Sequence, residues 1–243
     1  MFETRWRSRQ GLWGSQRFRL GRLLCFELRR AARRVQEWSL VWIFFLLIVL
    51  LFTIGLGAHQ QRLSIQQGAG VIWVAVLLAM MLSFERLWRD EWEQGMLAQF
   101  RLSLGSLISL VWLKMTVHWV FSGLALLLLL PLALLFLDFP LRLLPLLLLT
   151  LSLGTQALSV QVALGSAMTL GLRRAGFLIA LLLLPLYLPI LIFGMAVFER
   201  ASLGLPYAST LGLLWVLWGL SLSLLPSVTA KILGWTIEDQ ALL

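Results

Sequence analysis

The sequence predicts an all-α integral membrane protein with six transmembrane helices, preceded by an amphipathic helix that lies along the membrane surface. Three observations lead there. Of the 243 residues, 60% are hydrophobic and 13% charged, with a mean hydropathy of +0.91; a soluble domain is nearer half apolar and a quarter charged. The apolar residues gather into runs long enough to cross a bilayer. The basic residues between those runs are concentrated on one side, as the positive-inside rule requires.

Residues 1–15 hold Arg5, Arg7 and Arg9 without a clear period and read as a basic tail drawn to acidic head groups. From 16 to 38 a stripe of Leu20, Leu24, Leu28, Ala31, Val35 and Trp38 recurs at helical spacing. Arg19, Arg22, Arg29, Arg30, Arg33 and Arg34 fall on the other side. This is the pattern of an interfacial helix, apolar face in the lipid boundary and arginines on anionic lipid. Glu27 lies at the edge of the stripe, placed for a local pair with Arg30 or for a strut to the bundle.

The six spans occupy residues 39–230. The first runs from about Ser39 to Leu56 and the second from about Gly68 to Ser83. The third, Leu107 to Leu137, is long and contains Lys114, His118 and Pro131, so its start is expected at the interface with Lys114 snorkelling to head groups. The fourth covers Leu143 to Leu170. The fifth begins at Ala175 and meets Pro185 and Pro189, which predict a break and a re-entrant or interfacial piece up to Glu199-Arg200. The sixth runs from Ser209 to Leu225, ends near Pro226, and leaves a polar tail over 231–243. An even number of spans puts both termini on one side. That side holds the N-terminal arginines, Arg86, Arg89, Arg101, Arg173, Arg174 and Lys231; the other holds Arg62, Arg142 and Arg200. Both termini are therefore expected in the cytoplasm. Most of the tryptophans, Trp73 among them, read as interfacial anchors.

Between the second and third spans lies the densest run of mixed charge, Phe84 to Gly95. Read as a helix, it pairs Glu85 with Arg89 and Arg89 with Glu93, with Phe84, Leu87, Trp88 and Trp92 on the opposite side and Gly95 as the stop. It is either a solvated loop with incidental ion pairs or a docking helix gripped by a cytoplasmic protein.

Several classes are excluded. The net charge of +9 sits mostly in the N-terminal block, which points to topology and anionic lipid rather than nucleic acid. The single cysteine, Cys25, has no CxxC partner. There is no Walker A, HExxH or GxSxG pattern, so the chain is not expected to be an enzyme or to hydrolyse nucleotide by itself. Thr155, Gln156 and Gln161 give the fourth span a polar face, which is either helix packing or the surface of a pathway. His118 and His59 are the candidate axial ligands for iron, but a lone histidine with no second ligand argues against either. His118 reads more simply as a hydrogen-bond partner of a neighbouring helix.

The order of several stretches resembles one family. Gly68-Ala-Gly70-Val-Ile-Trp73-Val-Ala is followed by Phe84-Glu-Arg-Leu-Trp-Arg-Asp90 and Gly95. Leu113-Lys114, His118-Trp119, Gly123-Leu, Leu153-Gly154-Thr155, Ala167 to Gly176, and Leu184-Pro185 to Phe193 come after them, with Glu27-Leu28-Arg29 upstream. Over about residues 20–230 these resemble the haem exporter protein B family, CcmB. Departures lie before the first span, at its end (Phe52-Thr53-Ile54) and at Leu102 to Ser106. The resemblance implies an ABC-2-type permease in the bacterial inner membrane, present in two copies. It implies a separate cytoplasmic ATPase subunit that uses the ATP, a haem-handling membrane partner and a periplasmic haem chaperone. Glu85, Arg86, Trp88, Arg89, Asp90 and Gly95 would couple to the ATPase. Haem would be cargo rather than a bound cofactor. The readings that compete are an ABC permease for another substrate, such as a glycan, lipid or drug, and a non-transporting scaffold of the haem complex.

Overall fold

The computed structural model describes residues 21, 23–57, 64–83, 87–104, 106–137, 139–170 and 176–241, and these are helical with short turns and no strand among them. Six helices are long and apolar enough to cross a membrane. Helix α1 covers 23–33 and turns at Arg34 directly into α2 (Val35–Gly57). Next come α3 (Ile65–Leu82), a one-turn α4 (Arg89–Glu93), α5 (Met96–Leu104), and α6 (Leu107–His118), which continues through a π-helical turn (Trp119–Leu124) into α7 (Ala125–Leu137). A 3-10 turn (Leu141–Leu143) opens α8 (Leu144–Thr169), followed by α9 (Gly176–Ser202) and α10 (Ala208–Ala241).

The ends are set by local chemistry. Ser64 caps α3 through a reciprocal capping box with Gln67. Proline near the first turn of α8 costs nothing, because its N–H would be orphaned there anyway. Gly95 adopts φ +68° and ends the charged segment, as its sequence position suggests.

Two proline expectations are corrected. Pro185 and Pro189 do not split the fifth span: α9 is one helix to Ser202. Pro226 does not end the sixth: α10 runs on to Ala241, so the stretch from 231 is helical as far as it is described. In a membrane bundle the carbonyls that proline frees can be satisfied by neighbouring helices and side chains, so the cost that breaks a solvated helix is reduced.

Helix α8 is central, packed on α3, α6, α9 and α10. Its inward face is built of small residues and aliphatics from Leu147 to Ala167. Trp73 is completely buried rather than interfacial, which corrects the anchoring expectation. Its ring fits because Gly154 of α8 and Gly194 of α9 lack side chains: a Cβ on Gly154 would lie 2.5 Å from the indole, and one on Gly194 closer still. The π turn is held similarly. Trp42 of α2 donates its indole N–H to Phe121 O at 2.9 Å, supplying a partner to a carbonyl where the α ladder is interrupted.

Helices alternate in direction, so the start of α2, the ends of α3 and α8, the start of α6 and the end of α10 share one end of the bundle. The charged segment lies there, on a second, smaller core made by Leu87, Trp88, Leu97, Leu110, Val111, Met115, Ala163, Ala167, Leu233 and Ile237.

Candidate functional site: an ionic node at one end of the bundle

Trp88 fixes the charged segment to the bundle. Its ring is fully buried, its indole N–H donates to Ala163 O at 2.9 Å, and its backbone N–H donates to Ser166 Oγ at 3.3 Å. Five residues of α4 follow. Helical spacing turns Asp90 and Glu91 toward the bundle, while Arg89 and Glu93, four residues apart, form an exposed pair at 2.9 Å. Glu85 and Arg86 lie outside the described residues.

Glu91 is 1% exposed and sits between two cations. Its Oε1 accepts from Lys114 Nζ at 2.6 Å and from Arg30 Nη1 at 2.7 Å. Lys114 also reaches Glu27 Oε2 at 3.6 Å and lies 6.0 Å from the centre of the Trp88 ring. Arg34 pairs with Asp90, and Arg30 Nη2 is 3.7 Å from the same carboxylate. The hydrogen bond to Asp90 raises the pKa of Arg34. Glu37 stands at the rim, 3.5 Å from Arg34. Three elements distant in sequence, α1, α4 and α6, are thus joined through complementary charges. Taking such charges out of water is costly, and only close pairing makes it tolerable.

The node revises two expectations. Lys114 does not snorkel outward; it is 8% exposed and turned onto Glu91 and Glu27. Arg30 and Arg34 bind carboxylates of the bundle, while Arg29 and Arg33 remain exposed. Of the two readings of Glu27, the strut is realised together with the local pair to Arg30 at 3.7 Å. Sequence reasoning missed the link from Glu91 to Lys114. The available signal was a lysine seven residues inside a long apolar helix, about 10 Å along it, directly after a segment rich in carboxylates.

Beneath the node is a cavity of ≈ 80 Å³ lined by Glu27, Glu91, Lys114, Trp38, Ser83 and His118 among others. Glu27 Oε1, Glu91 Oε2 and Trp38 Nε1 have no hydrogen-bond partner among the described residues. The site is polar and roomy enough for water and far below the 300–1,000 Å³ or so of a pocket that encloses a drug-sized ligand.

His118 is buried at the end of α6, against Ser83 and Trp38. Ser83 Oγ lies 2.7 Å from Nε2, Ser122 Oγ 3.3 Å from Nδ1, and Trp38 packs edge-on at 5.9 Å between ring centres. Ser83 gives its own proton to Met80 O, so Nε2 is the donor in that contact. Ser122 likewise gives its proton to His118 O at 2.6 Å, so the bond that ties the ring to a neighbouring element is the one from Nε2 to Ser83, as the helix-contact reading expects. His59 lies outside the described residues, and among those described no group of His, Cys, Asp and Glu is arranged to hold a metal.

The polar face of α8 separates into three fates. Thr155 accepts from Trp119 Nε1 at 3.1 Å. Gln161 donates to Leu186 O of α9 at 3.1 Å, in the turn between the two prolines. Gln156 Oε1 accepts from Trp218 of α10 at 2.9 Å, and its side chain lines an open groove.

Six apolar helices with a charged segment returned to one end define an all-α, multi-pass membrane bundle of the ABC-2 type. Residues 19–234 match the family model described as CcmB protein. The chain belongs to that family. It is 44% identical to Heme exporter protein B of Pseudomonas aeruginosa over 208 residues, covering 86% of this chain and 93% of the relative. It is 39% identical to the protein of the same name from Haemophilus influenzae, covering 88% and 96%, and 38% identical to that of Escherichia coli, covering 89% and 98%.

Proposed function

We propose that this chain is the membrane-embedded subunit of a haem exporter that serves c-type cytochrome biogenesis, working with a separate cytoplasmic ATPase in the bacterial inner membrane. The observation that carries the reading is the similarity to proteins named heme exporter protein B over nearly their whole length. The end of the bundle that holds the node faces the cytoplasm, supported by the excess of Arg and Lys there. The ATPase docks on the charged segment through the face that Arg89, Glu93 and Gln94 expose. Trp88 roots that segment in the bundle, and Gly95 lets the chain turn into α5.

The ionic node gives the docking its consequence. A displacement of α4 acts through Asp90 and Glu91 on Arg30 of α1, on Arg34 at the turn into α2 and on Lys114 of α6. Nucleotide-driven movement would then tilt the first and third spans together and reshape the opposite, periplasmic surface. A haem-handling membrane partner and a periplasmic haem chaperone engage that surface, and a second copy completes the exporter.

The test is a haem stain of membranes from the native host with and without the gene. Loss of covalent c-type haem with b-type haem intact is the expected result. Unchanged c-type haem in a host lacking a second copy would overturn the reading and favour export of another substrate.

A further inference from the structure

We infer that the open groove between α6, α8 and α10 binds a planar aromatic amphiphile through an acceptor group, the ligand class being a porphyrin with its carboxylate turned to Gln156. The choice of porphyrin rests on the function proposed above; the demand for an acceptor does not. The groove measures ≈ 220 Å³ and is lined by Trp112, Thr116, Trp119, Gln156, Ser159 and Leu222, with Met115 and Val160 at its base. Gln156 stands midway along the 26 residues of α8, so the groove opens at membrane depth.

The donor inventory decides the polarity of the ligand. Trp218 donates to Gln156 Oε1, which orients the carboxamide and leaves its two N–H groups without a partner among the described residues. The Thr116 hydroxyl gives its proton to Trp112 O, and the Ser159 hydroxyl gives its proton to Thr155 O. The Trp119 indole N–H is already held by Thr155. The Thr116 and Ser159 oxygens keep acceptor lone pairs but each already makes one bond, so the polar groups left with no bond at all are the Gln156 amide N–H groups and the Trp112 indole N–H, all donors. At this depth a donor left without water or a partner is costly. A carboxylate or carbonyl answers it; an ammonium group cannot.

The walls decide the shape. Trp112 is 41% exposed at the mouth. Trp119 is fixed by Thr155 and by Gly123, where a Cβ would meet the indole Cδ1 at 2.6 Å. Aromatic faces at both levels suit a flat ring system. The volume is below that of sites enclosing a drug-sized ligand, so the groove takes one face and edge of the ring and leaves the remainder to lipid.

The experiment uses the full chain in lipid nanodiscs, titrated with metal-free protoporphyrin IX and followed by porphyrin fluorescence, with empty nanodiscs as the blank. Binding above the blank is expected, weakened about tenfold by Gln156→Leu, the size of one lost hydrogen bond to a charged group, and weakened also by Trp112→Leu. Trp112 lies at the exposed mouth, so that variant retains the parental melting temperature. Equal affinity in the parent and both variants, or signal no greater than in empty nanodiscs, would overturn the groove. If c-type cytochromes still require the gene in that case, the exporter reading survives without it. If porphyrin binds through Gln156 and c-type cytochromes do not need the gene, the groove stands and the exporter reading falls.

Discussion

Lys114→Met separates a buried ionic node from a lysine that merely reaches for head groups. The side chain is 8% exposed, with Nζ 2.6 Å from Glu91 and 3.6 Å from Glu27. Methionine keeps most of the volume and removes the charge. Breaking a buried pair by deleting one partner costs about 3–5 kcal/mol. Arg30 stays 2.7 Å from Glu91 and 3.7 Å from Glu27, so the lower end, about 3 kcal/mol, is expected. For a chain of this size that lowers the melting temperature by roughly 6–12 °C. The assay is thermal unfolding in detergent, followed by tryptophan fluorescence. Lys114→Met combined with Glu91→Gln removes the uncompensated charge as well, so the pair of changes is expected to cost less than the sum of the two singles. A melting temperature within about 1 °C of the parent, where 3 kcal/mol is expected, or simple additivity in the double variant, would refute the node.

Gly154→Ala should cost about 1–3 kcal/mol by driving a methyl into the Trp73 ring, and Trp73→Phe should reduce that penalty, because phenylalanine lacks the two ring carbons that the methyl meets; unfolding temperatures of the two singles and the double check it. Gly95→Ala, at φ +68°, should lose about 1 kcal/mol, with Gly95→Asn closer to the parent. Arg89→Ala with Glu93→Ala should change stability by no more than about 0.5 kcal/mol, since the pair is exposed. The same double variant should abolish c-type cytochrome assembly if the ATPase docks there, and normal assembly with normal expression would remove the docking face.

The membrane class, the six spans and the position of the charged segment were legible because hydropathy and charge sorting are properties of composition along the chain. Gly95 as a stop and the Arg89–Glu93 pair were legible because both depend on residues a few positions apart. The prolines misled, since their effect depends on what surrounds the helix: Pro185, Pro189 and Pro226 sit inside continuous helices. Trp73 misled for a related reason. Its place in the core requires two glycines from α8 and α9, and no local pattern announces that the three will meet.

The sequence by itself determined that this chain lives in a membrane, how often it crosses, which end collects its cations, and which family it resembles. Only the tertiary structure decided what the charges do. Glu27, Arg30 and Arg34 precede the first span, Asp90 and Glu91 follow the second, and Lys114 lies inside the third. Their union depends on the helices folding back so that these points share one end of the bundle. The same packing ties Thr155 and Gln161 into helix contacts and leaves Gln156 at an open groove. Periodicity tells which residues share a helix face; what that face meets is fixed by neighbours far away in the chain.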